Sequence, residues 1–503
     1  MSRRAPRTRP LCLALLAALA SSGVPTSAAP PQDTSWIRLR HDVTRRIFPQ
    51  LPAARSAPGA IGTPHATHVV ANCNDAGPGS LREAVAAAAS GDTIDLGGLQ
   101  CSTITLLTGA IEVELDDLAI IGPGARDLAI DGRRADRLFV HPRGGTLRFK
   151  GLTLRNGSAR AEGFDVSGGG CIASAGYLQL YNSLVRDCFA SGIGSYGGAL
   201  YAYSLTLGNT TLVGNHAYGT HAAAGTAAFG GAAFVYALQM DTSTVSHNLA
   251  DHRINPGFSS YDTGGGIVAV SGGTIHGSTI DSNISDGRAG GIASFNPLVV
   301  INSTLSGNLA RHDIAGGVFV RWPAALQLEN STVTRNHAAL DGGGVWINAA
   351  GSNFRSSIVF GNSSDVGNRD NRYGLLPQAI TIGGERNVLA TLSPLLTGPA
   401  DTLALDPQLR PLALNGGSTR THALAATSPV IDAGSNPLGL TSDQRGGSHL
   451  RSWGNAPDIG AFEWQGRADL GATTAVPASS RGTLLLLVAT LLAAVGWRRR
   501  RLH

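Results

Sequence analysis

The 503-residue sequence predicts an all-β fold. The expected architecture is one single-stranded right-handed parallel β-helix, with a short capping helix before it and a hydrophobic helix at the C-terminus. Two observations lead there. From Leu152 to Asn362 one motif recurs about every 29 residues, typified by Leu328–Val345: an apolar strand ending in Asn, a polar loop, then Gly-Gly and a hydrophobic residue. Its strands are short, rich in Val, Ile, Leu and Thr, and lack a 3.6-residue period. The second observation is how the repeat divides. From the second Gly of each pair to the next Asn slot the spacing is 17 to 19 residues, whereas from Asn slot to Gly it runs from 8 to 18. A rigid part thus alternates with loops of variable length on one side. Leucine-rich repeats would need their own leucine pattern and propeller blades about 40–45 residues, so stacked β-helix coils fit best. Eight slots at the inter-strand spacing of about 4.8 Å make a rod on the order of 40 Å.

Each residue type in the motif has a physical reason. Side chains on stacked coils repeat at one inter-strand spacing, so Asn215, Asn248, Asn283, Asn308, Asn336 and Asn362 are expected to hydrogen-bond one another in a ladder. Asn also tolerates left-handed backbone angles at a turn. Paired Gly allows a tight corner or close coil-to-coil approach. Ile267, Ile292, Val318 and Val345, which follow the Gly pairs, should enter the core. Cys188 takes an Asn slot, where a disulfide could replace the amide contacts. Cys73, Cys101, Cys171 and Cys188 allow three pairings; the local pairs Cys73–Cys101 and Cys171–Cys188 are expected. Asn209-Thr-Thr, Asn302-Ser-Thr and Asn330-Ser-Thr match the glycosylation sequon, but the repeat explains them without glycans.

Residues 1–28 read as a secretory signal: four arginines, an apolar run from Leu11 to Ala20, then small residues. Residues 29–66 form a linker. Within 67–150, Ser80 is a good N-cap with Glu83 three residues on, which predicts a helix over 81–89 stopped at Gly91. Gly79-Ser-Leu-Arg-Glu-Ala84 resembles the module named for its C-S-L-R-E-A signature, found on bacterial surface β-helix proteins; the first position departs, and Cys73 is the nearest cysteine. Arg82 and Glu83 are read as helix surface or cap residues. The repeats proper occupy 151–365.

Residues 366–466 carry Asn387-Val-Leu, Asp406-Pro-Gln-Leu, Asn415-Gly-Gly-Ser-Thr, Ser428-Pro-Val-Ile-Asp-Ala-Gly, Asp443-Gln-Arg-Gly and Asp458-Ile-Gly-Ala-Phe-Glu. This series resembles the choice-of-anchor Q domain that follows β-helix regions in bacterial surface proteins. Asp443, Arg445, Asp458 and Glu463 are expected to pair as Arg–carboxylate forks where a cap covers the last coil. A linker, 467–482, leads to 483–503, where Leu484 to Trp497 precedes Arg498 to Arg501. That layout is similar to C-terminal sorting signals of Gram-negative bacteria, although Val476-Pro-Ala departs from their usual small motif.

Charge narrows the function. Removing the eight terminal arginines from the formal total of +5 leaves −3, so a nucleic-acid partner is not expected. No Cys/His cluster has zinc spacing, and neither metal nor cofactor is expected. The overall resemblance, to polymorphic outer-membrane-protein-like adhesins of pectin-lyase-like fold, implies export through the Sec pathway and anchoring in a Gram-negative cell envelope by the C-terminal segment. The expected partners are the membrane, export and sorting machinery, and a glycan or a host or neighbour surface protein. A non-enzymatic structural or adhesive module is the first reading; a polysaccharide lyase or glycoside hydrolase on the same fold is the alternative. Catalytic residues are not identifiable, and the acids of the repeats are scattered singly. The variable loops offer the candidate binding residues His221, Arg253, Tyr261, Arg311 and His312.

Overall fold

The computed structural model describes residues 43–44, 46–47 and 65–466, except 163–164, 221–226, 253–262, 348, 367–370, 374–379, 391 and 393–395. All lie in the compact unit Val43–His503. The predicted signal peptide and hydrophobic C-terminal helix lie outside the described residues. Among those described, no helix is long and apolar enough to cross a membrane.

The chain winds into a parallel β-helix with three faces. The coil beginning at Ile267 shows the plan. Ile267–Ala269 and Gly273–His276 belong to the first face, Thr279–Asp281 to the second and Ile284–Ser285 to the third. The first face is a 20-stranded sheet, whose two ladders merge in the nine-residue strands Leu200–Gly208 and Ala233–Asp241. The second face has 11 strands and the third 8. Register is kept without slip, as in Thr244↔Thr279 and Thr279↔Thr304. The middle residue of each second-face strand points inward: Leu154, Val185, Leu212, Val245, Ile280 and Leu305 are all 0% exposed. Each such burial contributes roughly 1.5–3 kcal/mol, and one coil's core is continuous with the next.

Two corners per coil turn on a single left-handed residue. Between first and second faces these include Gly151, Asn182, Asn209, Thr242, Gly277, Asn302, Asn330, Ser356 and Arg386, with φ from 45° to 67°. Between second and third faces they include His247, Ser282, Gly307, Arg335 and Gly361. This corrects the expected role of the ladder Asn: the residue before it takes the left-handed angle, and the Asn follows in ordinary backbone. In both corners the residue after the left-handed one builds a ladder.

At the second corner the ladder is Asn. Each Oδ1 accepts both the backbone N–H and the Nδ2 of the preceding coil's residue, at 3.0–3.1 Å and 2.8–2.9 Å along Asn215, Asn248, Asn283, Asn308, Asn336 and Asn362. Every Nδ2 from Asn215 onward also reaches a carbonyl of the coil before, such as Ile280 O from Asn308 at 3.0 Å. Cys188 ends the series: its N–H donates to Asn215 Oδ1, and its sulfur bonds Cys171. At the first corner a hydroxyl ladder, absent from the sequence reading, does the same work. Thr210, Ser243, Ser278 and Ser303 give their N–H groups to the next hydroxyl at 3.0–3.2 Å.

The Gly pairs exist because the third-face strand lies directly on them. A Cβ on Gly290 would sit 2.3 Å from Leu309 N, and one on Gly291 would sit 2.5 Å from Gly317 O and 3.1 Å from Asn308 Cγ. Third-face side chains facing this layer are therefore small, as at Ala250, Ala310 and Ala338, each 0% exposed.

The ends close differently. The predicted capping helix is Leu81–Ala87, with Leu81 and Val85 buried and Ser80 accepting from Glu83 N. Glu83 returns to Gly79 N–H rather than to the cap residue itself. Arg82 clamps the carbonyls of Gly109 and Ala110 and pairs with Asp75, and the Cys73–Cys101 disulfide closes the same end. Part of the predicted linker is docked rather than free: Val43 and Ile47 are buried and Thr44 Oγ1 lies 2.6 Å from Tyr201 OH. At the far end, Ile380, Ile382, Leu389 and Leu396 extend the core.

The segment from about 406 to 466 packs on Val388 of the last second-face strand and on Ile358 before it, but does not stop there. It runs back as a strap along the flank of the second face. Thr279 Oγ1 donates to Arg420 O, Thr304 Oγ1 to Gln444 Oε1, and Ala461 N–H to Thr332 Oγ1. Asp443, Arg445, Asp458 and Glu463 are all buried inside this strap. Arg445 pairs with Asp443 at 2.8 Å and lies 3.9 Å over the Phe462 ring. Glu463 pairs with Arg451, which is 0% exposed, at 2.8 Å. Asp458 takes backbone N–H groups from Asp432 and Trp464.

A candidate binding groove on the open half of the second face

Two of the five residues of the predicted loop patch, Arg311 and His312, fall among the described residues. His221, Arg253 and Tyr261 lie outside the described residues. Arg311 is exposed but pairs with Asp286 of the preceding coil at 3.1 Å, while Arg288 of that coil pairs with Asp313 of the next at 3.1 Å. The two loops thus clamp each other. His312 is exposed beside them. Further along the third face, His216 is not in a loop at all. It lies in the strand His216–Gly219 and meets Asp251 at 2.5 Å.

Among the described residues the strap does not reach the N-terminal half of the second face, and there a groove of about 560 Å³ opens. Its polar lining is Ser102, Thr103, Thr153, Arg126, Arg155 and Arg186; its floor is Ala125, Leu128, Ala129, Leu184 and Val213. The lining follows from the coil register. Asp131, Arg155, Arg186 and Val213 hold the same outward position on four successive strands. Arg155 and Arg186 therefore stand about 4.8 Å apart at their backbones. Arg126 is exposed at the start of the groove. Just past Asp131 the exposed Arg133 and Arg134 both have left-handed backbone, φ 52° and 61°, a conformation that disfavours any residue but Gly.

Charge in the groove is only partly compensated. Arg155 donates to Asp131 at 2.8 Å, and Arg186 lies 3.4 Å from Asp187. Burial pushes the Asp131 carboxyl up, but the N–H of Arg133, the amide of Asn156 and the Arg155 guanidinium outweigh it and hold its pKa below the usual range. Asp131 is thus a fixed anion that orients Arg155. Among the described residues no carboxylate or imidazole lines the groove itself. Among the described residues no group of three His, Cys, Asp or Glu is placed to hold a metal. The groove can offer guanidinium forks and hydroxyls to an anion above an apolar floor.

Sequence reading missed these arginines because they sit inside the scaffold strands, in Thr153-Leu-Arg155 and Leu184-Val-Arg186. The signal was available as Arg at the same strand position in consecutive repeats.

No protein-family model matches the chain, and no curated protein matches it. Among solved structures, the crystal structure of pectate lyase Pel9A is similar at 14% identity and a TM-score of 0.44, over 80% of this chain and 97% of that one.

Proposed function

We propose that this chain is an exported, envelope-anchored, non-enzymatic β-helix module that binds an extended anionic glycan along the open half of its second face. The observation that carries the reading is the column of Arg155 and Arg186 on adjacent strands with Arg126 beside them. Arginine forks suit carboxylate or sulfate groups, and a row at strand spacing suits a polymer rather than a single small anion. The two disulfides fit an oxidising compartment. Anchoring rests on the hydrophobic C-terminal segment and its arginine cluster.

The test is binding of size-defined oligouronates and sulfated oligosaccharides to the full chain, compared with the Arg155→Ala/Arg186→Ala variant. Affinity that rises with chain length, falls with salt and drops at least about tenfold in the variant supports the reading. Equal binding by variant and wild type would refute it. Release of shortened or unsaturated products in the same mixtures would replace it with the enzyme reading.

A further inference from the structure

The first face carries an outward-facing trough that belongs neither to the core nor to the arginine groove. On the strand Tyr177–Tyr181 burial alternates, so Leu178 and Leu180 enter the core while Tyr177, Gln179 and Tyr181 face outward. The two tyrosines stand four residues apart, about 13 Å at the backbone. Register carries this cross-section along the rod. Gln179 is followed by Thr206, Gln239 and Thr274 on the next three rungs. They make a strip of amides and hydroxyls on the order of 14 Å long.

Both banks of the strip are aromatic. On one side Tyr177, 47% exposed, meets Tyr203 edge-on at 5.7 Å between ring centroids, and Tyr203 stacks on Tyr236 at 6.0 Å. Tyr203 and Tyr236 hold the same position on successive rungs, and Phe234 braces Tyr236 edge-on at 5.9 Å. On the other side the Tyr181 ring lies over the next rung. A Cβ on Gly208 would sit 2.7 Å from Tyr181 Cδ1, so the absent side chain is what lets the ring lie down there.

Among the described residues charge stays at the margins of the trough. Arg148 and Lys150 stand one rung before it, where Arg148 donates to Gln179 at 2.9 Å. Asp241, beside Gln239, is taken up by His276 at 2.6 Å. A nucleic acid or an anionic polymer would need cations along the strip itself. A peptide could not add as a strand, because both edges of Tyr177–Tyr181 are already paired, with Thr146–Lys150 and Leu200–Gly208. Neutral amides and hydroxyls between aromatic faces instead match a pyranose ring. Its C–H face lies on an aromatic ring, and the hydroxyls round its edge reach Gln and Thr.

We propose that this trough is a second binding site, for a neutral polysaccharide chain lying along the rod. It shares no residue with the arginine groove, so it stands or falls independently of the anionic-glycan reading.

The experiment is titration calorimetry of the full chain with cellohexaose, xylohexaose, mannohexaose and chitohexaose, at low and at high salt. Expected is binding of at least one of them that salt does not weaken and that the Arg155→Ala/Arg186→Ala variant keeps. Tyr177→Ala and Tyr181→Ala, both at outward positions, should each weaken it about tenfold without lowering the melting temperature appreciably. Tyr181→Phe, which keeps the ring face, should retain it, whereas Gly208→Val, which lifts the Tyr181 ring without removing it, should not. No binding of any of the four sugars would overturn the proposal. So would binding that is equal in wild type, Tyr177→Ala and Tyr181→Ala, or that is lost in the double arginine variant.

Discussion

His422 and Ser306 join the strap to the second face through a hydrogen bond made by a buried imidazole that burial keeps neutral. Nδ1 lies 2.7 Å from the Arg410 carbonyl and must donate to it, so in the neutral ring Nε2 accepts from the Ser306 hydroxyl at 2.8 Å. Burial pushes the His422 pKa down to about 4, Arg335 adding to the effect and the Arg410 carbonyl opposing it.

A pH dependence follows, with a definite sign. A buried histidine whose folded pKa lies below its unfolded value of about 6.5 contributes stability that is complete above pH 6.5 and lost as pH falls toward 4. Glu463 and Asp458 act oppositely. Burial pushes them up to about 7 and about 6, so their contribution falls as pH rises through that range. Comparison with His422→Gln isolates the histidine. Wild type should be the more stable by urea unfolding at pH 7.5, and its advantage should shrink by about 2–3 kcal/mol by pH 4.5. A gap that does not change with pH would contradict the neutral-imidazole assignment.

The Asn ladder should be cooperative in its sensitivity. Asn308→Ala removes the oxygen that takes Asn283 N–H and Nδ2, and the amide that reaches Ile280 O and Asn336. At least two buried donors lose their partner, at roughly 1–3 kcal/mol each. A loss of about 2–5 kcal/mol is expected in chemical denaturation. Asn308→Asp should cost as much or more, because it buries a charge with no cation beside it.

How much of this was legible can be judged from particular residues. Stacking forces one residue type to recur at one spacing, so Asn215 to Asn362 announced the ladder, the coil and the Gly pairs together. The Ser/Thr ladder follows the same rule but hides in it, since Ser278 and Ser303 look like ordinary strand-entry residues. The strap's place was not legible: Asn302 meets Ser442 across 140 residues, and no period records such a contact. Arg445 stood out with Asp443 in the Asp443-Gln-Arg-Gly motif, whereas Arg451 sits in Arg451-Ser-Trp outside any motif, though it is the partner of Glu463. The partner of Arg311 was not legible either, because Asp286 lies 25 residues away on the neighbouring coil and no local pattern joins them.

The buried pair in the strap gives a prediction about where unfolding starts. Arg451→Met leaves Glu463 buried with backbone donors only, from Trp453 and Asp458. Removing one member of such a pair costs about 3–5 kcal/mol. The β-helix core does not depend on Arg451, so the strap should open first. Hydrogen exchange should speed up over 409–466 while the rungs around Leu154 to Val245 keep their protection. Adding Glu463→Gln should restore much of the loss. Uniform acceleration along the whole chain would mean that strap and coils unfold as one unit.

The sequons provide a test of the strap's position in living cells. Asn302 and Asn330 are buried with Nδ2 committed to Ser442 O and Ser435 O, whereas Asn209 is exposed and bonds only Asn182 Oδ1 with its amide. A glycan on Asn302 or Asn330 would fill the strap's seat. When the chain is secreted from a glycosylating eukaryotic host, correctly folded product should carry glycan at Asn209 but not at Asn302 or Asn330, read by peptide mass spectrometry. Molecules modified at Asn302 or Asn330 should have a displaced strap and be cut between 406 and 466 by trypsin under native conditions. Arg451→Met, which loosens the strap, should raise occupancy at Asn302 and Asn330 but not at Asn209. Full occupancy at Asn302 in a protease-resistant product would rule out the flank-bound strap.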